Sequence, residues 1–445
     1  MKLLAYPRTK PSGVEWLGEV PEHWEVAPLK HLTDFINGAA FKPDEWSQYG
    51  TPIIRIENLN GGDDFNCYEG EVRKRYHVKA GDLLFGWSGN RGTSFGPFRW
   101  SRQGHYFLNQ HIFRLAGFTC HDSWFYWALK AVTKTIEDEA HGIIGMVHVT
   151  KGKLGAVKMP SLPHAEQLAI AAFLDRETGL VDRFVAKKRE LIERLNEKRT
   201  ALISRTVTRG LPPAAARAAG LAENPPLKPS GIEWIGDIPK HWDVVAYKRV
   251  CTRVDVGIAE AATHAYCDDG VPIIRSTNVK PNKLDTSDVL RIEPWFAAKN
   301  RTKMLRAGDL VTVRTGYPGT TAAVPPEFDG CQCFTLVLST PKRTAHGPFF
   351  SWVLNSHPGA SYFEMEGWGT AQTNISVPIV RFMPVPRPPL PEQVAITAYL
   401  DEETAKLDAL VGKVKDAVER LQEYRTALIT AAVTGKIDVR KESHA

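Results

Sequence analysis

EQLAIAAFLDRETGLVD, at residues 166–182, returns as EQVAITAYLDEETAKLD at residues 392–408, and this repeated stretch decides the fold. About 10 of its roughly 17 positions are identical. Both copies continue into similar sequence, ERLNEKRTALI from Glu193 and ERLQEYRTALI from Glu419, at one offset of 226 residues (392 − 166 and 419 − 193). No insertion or deletion therefore separates the two copies.

Apolar residues in both copies recur at alternating steps of four and three. A sustained seven-residue repeat winds helices into a left-handed supercoil. One amphipathic helix packed on the core of each domain is the alternative, but the shared register favours two helices that bury their seams against each other. A helix of about 40 residues is a rod of roughly 60 Å. The seam residues are Val181, Val185, Ile192, Leu195 and Leu202 in one copy and Leu407, Val411, Val414, Val418, Leu421 and Leu428 in the other, with Lys188, Arg199 and Arg425 in further seam slots.

The repeat extends well beyond these helices. The offset drifts between 218 and 227 residues, so loops of different length separate the matched segments. Each half reads as mixed α and β, with short helices predicted at 124–132 and 349–354, and the chain is a tandem duplication with divergent inserts. The matched pairs are KPSGVEWLGEVPEHWEV (10–26) with KPSGIEWIGDIPKHWDV (228–244), GTPIIRIENL (50–59) with GVPIIRSTNV (270–279), and KAGDLLFGWSG (79–89) with RAGDLVTVRTG (306–316).

Composition is typical of a globular protein, with 445 residues, 43% apolar residues and 24% charged residues. Length allows two to four domains. The start, MKLLAYPRTKPSG, has too few apolar residues for a signal peptide, and no window approaches a membrane span, so a cytoplasmic location is expected. The six cysteines have no CxxC spacing and are expected to be reduced and mostly buried. A net charge of +6 suits a polyanionic partner, although many other proteins are equally basic.

Motifs for catalysis are missing. No GxxxxGK[ST] phosphate loop occurs, and the glycine-rich run 86–92 lacks the spacing of a dinucleotide fold. Asn224-Pro-Pro226 is similar to the catalytic run of amino-methyltransferases, but Leu227 replaces the aromatic residue that stacks a flipped base. The sequence therefore favours a chain without an active site.

With these segments in hand, the chain resembles the specificity (S) subunit of type I restriction–modification systems. The features that match are the paired SGxEWxGxxPxHW segments, the GDL turns, the proline-rich PLPEQ-type start of the helices, and the twin EQ…AxLD…RTALI helices. Residues 369–375 are also similar to the family's run before its last strand. The first half departs there, with Met146 and His148 where the second half has Gln372 and Asn374.

The resemblance implies an α+β fold in which two mixed α/β target-recognition domains are held apart by two long helices that form an antiparallel coiled coil, with a pseudo-two-fold internal repeat. It also implies that modification (M) subunits, two of them, dock on the helices and carry S-adenosylmethionine, and that restriction (R) subunits join them. Double-stranded DNA is the target, and the chain itself binds no cofactor. The expected segments are recognition domain 1 at 1–160, spacer helix 1 at 161–210, a Pro/Ala-rich linker at 211–227, recognition domain 2 at 228–386, and spacer helix 2 with the tail at 387–445.

A recognition domain needs cations for phosphates and side chains with paired donors and acceptors for base edges. The divergent loops after the matched GDL turns are the best places for such residues, with Arg91 and Arg314 as the preferred base contacts. The candidates in the first half are Ser88, Asn90, Arg91, Arg99, Arg102, Lys151 and Lys153, and those in the second are Lys299, Arg301, Lys303, Arg314, Thr315, Tyr317, Gln372 and Asn374.

Other basic residues have plainer interpretations. The run 73–75 fits a solvated face better than a phosphate contact, and Arg55 and Arg275, which recur in matched strands, are predicted to form scaffold ion pairs. Because the halves differ outside the scaffold, an asymmetric, interrupted site is expected. Two other interpretations stay open at this point: a stand-alone DNA methyltransferase or endonuclease, and a coiled-coil scaffold with no DNA role.

Overall fold

A computed structural model of the chain describes residues 4–139, 146–260, 263–367 and 374–440. The chain divides into two compact units, which we call the first unit (Met1–Arg189 with Lys415–Ala445) and the second unit (Glu190–Val414). Each unit contains one part of each long helix. The division into five sequential segments remains a prediction, because compactness groups the chain differently from sequence order.

The first unit is built from short strands and three helices that precede the first long helix. Two of its helices are short, and three 3₁₀ turns lie at Leu29–His31, Pro43–Glu45 and Lys74–Tyr76. The helices are α1 (Ile56–Leu59), α2 (Asp122–Glu139), α3 (Lys151–Ala156) and the long α4 (His164–Arg209), and the strands are β1 (Thr9–Pro11), β2 (Glu19–Pro21), β3 (Glu25–Pro28), β4 (Asp34–Asn37), β5 (Thr51–Ile54), β6 (Cys67–Tyr68), β7 (His77–Val78), β8 (Leu83–Gly86), β9 (Ser88–Asn90), β10 (Gly96–Arg99), β11 (Tyr106–Leu108), β12 (Ile112–Ala116), β13 (Met146–His148) and β14 (Lys158–Ser161).

The second unit repeats this construction. Its 3₁₀ turns are Tyr247–Arg249, Thr263–Ala265, Ser276–Asn278, Arg301–Lys303 and Pro326–Phe328. The helices are α5 (Pro213–Ala218), α6 (Pro294–Lys299), α7 (Gly347–Asn355), α8 (His357–Glu366), α9 (Val377–Phe382) and the long α10 (Leu390–Val433), and the strands are β15 (Leu227–Pro229), β16 (Asp237–Pro239), β17 (Asp243–Ala246), β18 (Cys251–Val256), β19 (Tyr266–Cys267), β20 (Val271–Ile274), β21 (Val279–Lys280), β22 (Lys283–Leu284), β23 (Leu290–Ile292), β24 (Leu310–Thr312), β25 (Thr321–Ala323), β26 (Gln332–Cys333), β27 (Val337–Pro341) and β28 (Pro384–Arg387).

The main sheet has the same order in both units. It is β10-β8-β12-β4 in the first unit and β25-β24-β27-β18 in the second, and its pairs are antiparallel. A second sheet contains one parallel pair in each unit, β5 with β11 and β20 with β26. The strands that flank this parallel pair differ between the units. The predicted short helices are confirmed, since α2 and α7 contain them.

Buried polar side chains explain why short motifs recur in both halves. Asp82 of the first GDL turn accepts a hydrogen bond from the Lys79 backbone N–H at 2.9 Å, and Asp309 accepts the equivalent bond at 3.0 Å. Asn58 and Asn278, the asparagines of the PIIR segments, are buried and accept backbone N–H groups at 2.9 and 3.0 Å. These side chains satisfy turn backbone that would otherwise be left without partners.

The seven-residue pattern predicted the two long helices correctly. Helix α4 spans 46 residues and α10 spans 44. Proline precedes or opens each helix, and a glycine with positive φ follows each one, Gly210 at 83° and Gly435 at 72°. The seam side chains that are buried are Val181, Val185, Leu195, Leu407, Val414 and Leu428.

Two ion pairs fix the antiparallel direction of the helices. In the first unit the Arg425 guanidinium contacts Asp182, with Nε to Oδ1 at 2.9 Å. In the second unit Arg199 contacts Asp408 at 3.1 Å. Each arginine and each aspartate has its counterpart 226 residues away (425 − 199 and 408 − 182), so one pair is the image of the other under the internal repeat.

A glutamate at the start of each long helix, buried in the first unit and half-buried in the second, anchors the unit to that helix. In the first unit Trp24 Nε1–H donates to Glu166 Oε2 at 2.9 Å, and the His23 Nε2 atom lies 2.7 Å from Oε1. In the second unit Trp242 and His241 make the same contacts with the Glu392 carboxylate, at 2.6 and 2.7 Å. These bonds explain the HW pairs of the repeat, which lie about 150 residues before the glutamates they bind.

The glutamine and the aspartate of the EQ…D motif also make hydrogen bonds that anchor each long helix. Trp127 Nε1–H donates to Asp175 at 2.8 Å, and Trp352 Nε1–H donates to Asp401 at 3.0 Å. The Gln167 side chain accepts the His121 backbone N–H at 2.6 Å, and Gln393 does the same for residue 346 at 2.7 Å. Three polar residues of the repeated stretch thus tie each long helix to loops of its own unit and to helix α2 or α7.

Different parts of the chain cover the two glutamate anchors. In the first unit the Tyr6 hydroxyl donates to Glu166 at 3.0 Å, and the Asp438 N–H donates to the Leu4 carbonyl at 2.7 Å, so both chain ends take part. Burial, and next the Glu166 carboxylate, raise the pKa of the Tyr6 phenol far above its usual value. In the second unit residues 210–225 line a small cavity beside Trp242. This segment was predicted to be a linker, and it contains the short helix α5, whose Ala216 is buried.

Two further expectations concern the whole chain. No helix among the described residues is long and apolar enough to cross a membrane. Half of the cysteines, at 251, 331 and 333, are buried, whereas the other three are half-buried. The expectation of mostly buried cysteines was therefore too strong.

Candidate nucleic-acid interface

The divergent turn of the first unit is one strand of a two-stranded ribbon. Strand β9 pairs antiparallel with β13, so that Asn90 faces Met146 and Ser88 faces His148. The central residues of the ribbon, Gly89 and Val147, are buried. The paired outer residues lie on the other face, where Asn90, Met146 and His148 are exposed and Ser88 is half-buried. The sequence predicted Ser88 and Asn90 and matched Met146 and His148 to the candidates Gln372 and Asn374, but it did not predict that 146–148 would pair with 88–90.

Trp87 joins three segments of the chain at this ribbon. Its backbone N–H donates to the His111 carbonyl at 3.3 Å, and its own carbonyl accepts the Val149 N–H at 2.9 Å. Its indole Nε1–H donates to the Gln110 carbonyl at 3.0 Å. The rings of His148 and His111 lie 4.8 and 5.5 Å from the Trp87 ring, centroid to centroid. The surface therefore includes the 109–111 turn, which sequence reasoning missed.

The second unit places its candidates in the equivalent position. Arg314 occupies the place of Trp87 (314 − 87 = 227), and its carbonyl accepts the Ile375 N–H at 3.0 Å while its Nε–H donates to the Ile375 carbonyl at 3.2 Å. Thr315 pairs with Asn374 in an antiparallel bridge. Tyr317 is 82% exposed at the tip of the turn. Arg314, Thr315, Tyr317 and Asn374 are thus brought together, and Gln372 lies outside the described residues.

Several predicted cations contact the protein itself. Arg102 donates to Asp63 at 2.6 Å and to the carbonyls of Gly61 and Gly62 at 3.0 and 3.1 Å. The Lys151 ammonium donates to the Phe35 carbonyl at 2.8 Å. These contacts give Arg102 a role in the scaffold. Its direct contact with DNA remains a prediction.

The basic segment upstream of the second turn is also paired. Lys299 contacts Glu260 at 2.9 Å, and Lys303 contacts Asp255 at 2.6 Å. Hydrogen bonds from Asn300 and Lys299 lower the pKa of the Glu260 carboxyl. Partial burial opposes ionisation of Asp255, but the hydrogen bonds from Lys303 and from the Val256 N–H, together with the charges of Lys303 and Arg253, outweigh it and the pKa of Asp255 is lowered. Both carboxylates are therefore ionised at neutral pH and offset part of the positive charge.

The remaining basic candidates are exposed. The Arg99 guanidinium stacks over the Tyr126 ring at 4.9 Å, and Arg91, Lys153 and Arg301 lie on the surface. Residues 73–75 are exposed as well. For Arg91, Arg99, Lys153 and Arg301 a contact with DNA remains a prediction, whereas the exposure of 73–75 agrees with the solvated face predicted for that run.

The two arginines expected in the scaffold do form ion pairs. Arg55 contacts Glu57 and also donates to Asn66. Arg275 contacts Asp288 at 3.1 Å. Their positions in matched strands are therefore explained by the turn that follows each strand.

Metal ligands do not cluster in the part of the chain that the structure describes, where no group of three or more His, Cys, Asp or Glu side chains has suitable geometry. The candidate surface instead consists of hydroxyl, amide, imidazole and guanidinium groups on short rigid turns. Such groups suit hydrogen bonding to base edges and phosphates.

Comparison with known proteins places this architecture in a family. Residues 21–194 match the model of the type I restriction modification DNA specificity domain. The chain is 20% identical over 435 residues to the EcoBI specificity subunit of Escherichia coli, covering 95% of this chain and 88% of the relative. It is 24% identical over 438 residues to the MjaVIII specificity subunit of Methanocaldococcus jannaschii, covering 95% and 94%.

A solved structure has the same fold. It comes from work on the complex assembly and conformational transition of the type I R-M system, and it matches with a TM-score of 0.63 at 15% identity, covering 94% of this chain and 99% of that chain. The duplicated fold, the family match over residues 21–194 and the relatives of similar length indicate the class that the chain resembles, the specificity subunits of type I restriction–modification systems. Both of the relatives described above are specificity subunits.

Proposed function

We propose that this chain is a specificity subunit that reads an asymmetric, interrupted DNA site, with one half-site assigned to each unit. The observation that carries the proposal is a duplicated scaffold with different side chains at the same place: Ser88-Gly-Asn90-Arg91 in the first unit and Thr315-Gly-Tyr317-Pro318 in the second. Equivalent scaffolds give equivalent approaches to a duplex. Different donors and acceptors on them select different bases.

The partners follow from the same duplication. Double-stranded DNA is the target, and methyltransferase subunits are the partners with which members of this family work. We propose that two modification subunits dock, one on each copy of the repeated helical surface, that S-adenosylmethionine binds to them and not to this chain, and that restriction subunits complete the complex. A cytoplasmic location, where the target DNA lies, is part of the same proposal.

The first experiment exchanges one recognition surface. Residues 28–160 are replaced by the corresponding segment of another specificity subunit, and the methylated motif of cells carrying the complex is determined by sequencing. We expect a new sequence in one half-site and no change in the other. A change in both half-sites, or a continuous motif in the wild type, would contradict the assignment of one half-site to each unit.

The second experiment tests the long helices as the element that sets the gap. Four residues inserted in register into both helices lengthen each by about 6 Å. Because a base pair occupies about 3.4 Å, the gap between half-sites is expected to grow by one or two pairs. Insertion into one helix alone is the control, since it displaces Asp182 from Arg425, and it is expected to abolish methylation.

DNA binding separates this function from that of a structural coiled-coil scaffold. The complex with its modification subunits is titrated with duplexes that carry the methylated motif at several salt concentrations. Phosphate contacts release counterions, so the affinity is expected to fall steeply as salt rises. A complex that methylates its site but binds the motif no better than an unrelated duplex would refute sequence recognition by this chain.

A further inference from the structure

The ribbon formed by β9 and β13 has an outer face that is largely exposed, with the His148 ring against the edge of the Trp87 ring. Asn90, Met146 and His148 are exposed on it, and Met146 is 56% exposed. The opposite face is closely packed, because a Cβ on Gly89 would lie 2.7 Å from the Ser94 carbonyl carbon. Packing in the core does not explain the large apolar side chain of Met146, because Met146 lies on the exposed face of the ribbon.

The ribbon is held rigidly. The Asn90 N–H donates to the Ser94 hydroxyl at 2.9 Å, and the Ser94 N–H donates back to the Asn90 carbonyl at 3.1 Å. At the tip, the Gly92 N–H donates to the Glu137 carboxylate of helix α2 at 2.9 Å. Side chains on a preorganised ribbon lose little conformational freedom on binding, which favours specific contacts.

The 109–111 turn extends this face. Trp87 fixes the Gln110 and His111 carbonyls, so the side chains of both residues lie at the surface, where both are exposed. The Trp87 ring packs edge-on against His148 at 75° and tilted against His111 at 45°. The half-buried Trp87 ring therefore contacts two imidazoles and holds the backbone of Gln110, whose carboxamide nitrogen lies 3.5 Å from His111 Nε2.

The second unit lacks this combination. The sheet register makes Phe113 equivalent to Val337, because they lie opposite the equivalent residues Phe85 and Thr312, and the parallel pair makes Leu108 equivalent to Cys333. Four residues connect these positions in the first unit (109–112) and three in the second (334–336), so the turn that holds Gln110 and His111 is one residue shorter in the second unit. Arg314 replaces the tryptophan there. Chemistry at this place is therefore particular to the first unit and is not required by the shared scaffold.

We propose, on the basis of the proposed function, that the β9–β13 ribbon of the first unit enters the major groove of its half-site. In the groove Gln110, His111 and His148 read base edges, and Met146 contacts a thymine methyl group. The major groove admits a two-stranded ribbon, a glutamine pairs its carboxamide with the N6 and N7 atoms of adenine, and apolar side chains recognise the methyl of thymine. An imidazole offers one donor and one acceptor when neutral, which suits a guanine or adenine N7.

Single substitutions in the full complex test the proposal. Gln110→Ala, His148→Ala and Met146→Ala are each expressed with the modification subunit, and the methylated motif is sequenced. Each variant is expected to lose roughly tenfold to hundredfold discrimination at one base pair of one half-site, since a good base contact contributes that much. Asn374→Ala in the second unit is the matched control, expected to affect only the other half-site.

The outcomes separate this inference from the proposed function. A wild-type complex without an interrupted motif would remove the proposed function. A wild-type interrupted motif that all three variants methylate unchanged, or methylate more weakly with the same sequence preference, would overturn the ribbon as a base reader and leave the function intact. His148→Gln, which keeps a polar side chain of similar reach, tests whether a lost motif reflects misfolding, because a folded unit is expected to give an altered preference.

A measurement on the wild-type complex needs no variant. Dimethyl sulfate attacks guanine N7 in the major groove and adenine N3 in the minor groove, so a footprint on the methylated motif reports which groove is covered. Protection of guanine N7 in the half-site that the first unit reads is expected, using a duplex with guanines placed in both half-sites. Protection of adenine N3 alone in that half-site would overturn the proposal.

Discussion

The two units share a scaffold but differ at several places, among them the exposed turn and the cover of the glutamate anchor. Sheet order, helix anchors and ion pairs are repeated, whereas Trp87 is matched by Arg314 and Asn90 by Tyr317. The anchor at Glu166 is covered by both chain ends, and the one at Glu392 by the central segment. The duplication has therefore kept what positions the surface and has changed the side chains on it.

The largest difference between the units is expected at the glycines that follow the long helices. A Cβ at Gly435 would lie 2.3 Å from the Pro21 ring, whereas one at Gly210 would lie 3.5 Å from the Trp242 ring. Both have positive φ, which costs an alanine about 1–2 kcal/mol, and the clash adds a similar amount. Gly435→Ala is expected to lower the free energy of unfolding of the first unit by about 4 kcal/mol, and Gly210→Ala that of the second by about 1 kcal/mol. Hydrogen exchange, followed separately for peptides of each unit, measures both, and equal losses would contradict this account of the chain end.

A smaller difference is expected at the glutamate anchors. Glu166 accepts from Tyr6 and Trp24 and also lies 3.6 Å from Arg440, whereas Glu392 accepts from Trp242 and contacts His241. Replacing the carboxylate by an amide leaves buried donors facing a donor, and each lost charge-assisted bond is worth about 1.5–3 kcal/mol. Glu166→Gln is expected to cost about 3 kcal/mol and Glu392→Gln about 2 kcal/mol by the same exchange measurement. Adding Tyr6→Phe should reduce the difference between these two losses of stability. A difference that persists would show that the Tyr6 hydroxyl is not its source.

Lys130 gives the first unit a pH dependence that its counterpart in the second unit, Asn355 (355 − 130 = 225), does not share. Burial, and next the nearby Arg425 guanidinium, lower the pKa of the Lys130 ammonium to about 8. The unfolded chain, with a lysine pKa of about 10.4, binds more protons between these values, so the first unit is expected to gain stability as pH rises from about 8 to 10.4. Lys130→Met should add about 1–2 kcal/mol at pH 7 and remove this slope. Hydrogen exchange at several pH values measures the stability of the first unit. A pH dependence that persists in Lys130→Met would show that other groups cause it.

The smallest difference is expected at the inter-helical ion pairs. The Arg425 guanidinium contacts Asp182 and also lies 5.7 Å above the Trp127 ring, whereas Arg199 contacts Asp408. Exposed pairs contribute about 0.2–1 kcal/mol, and a cation–π contact adds about 0.5 kcal/mol. Arg425→Met is expected to cost about 1 kcal/mol and Arg199→Met about 0.5 kcal/mol. A double-mutant cycle with Asp182→Asn separates the ion pair from the ring contact, and high salt should weaken only the former.

Sequence periodicity predicted the helices because the pattern is local: Val181, Leu195 and Leu407 mark the seam without reference to any distant residue. It did not predict the surface at Trp87, because strand β12 brings Gln110 and His111 to that place only through the order of the sheet. Runs of basic residues in the sequence likewise did not reveal which carboxylates those residues contact. Arg102 finds its carboxylate 39 residues away and Lys303 finds its own 48 residues away, so a basic run alone does not distinguish a phosphate contact from a scaffold pair.

The composition of the first unit has a consequence for synthesis on the ribosome. Its core contains Leu428, Ile429, Ala432, Val433, Ile437 and Val439, which are translated after the whole of the second unit, since that unit is complete once residue 414 has been made. Domains usually fold in the order of their synthesis. Here the half that emerges first needs residues that are made after the other half, so a product truncated before Leu428 retains a complete second unit and an open first one.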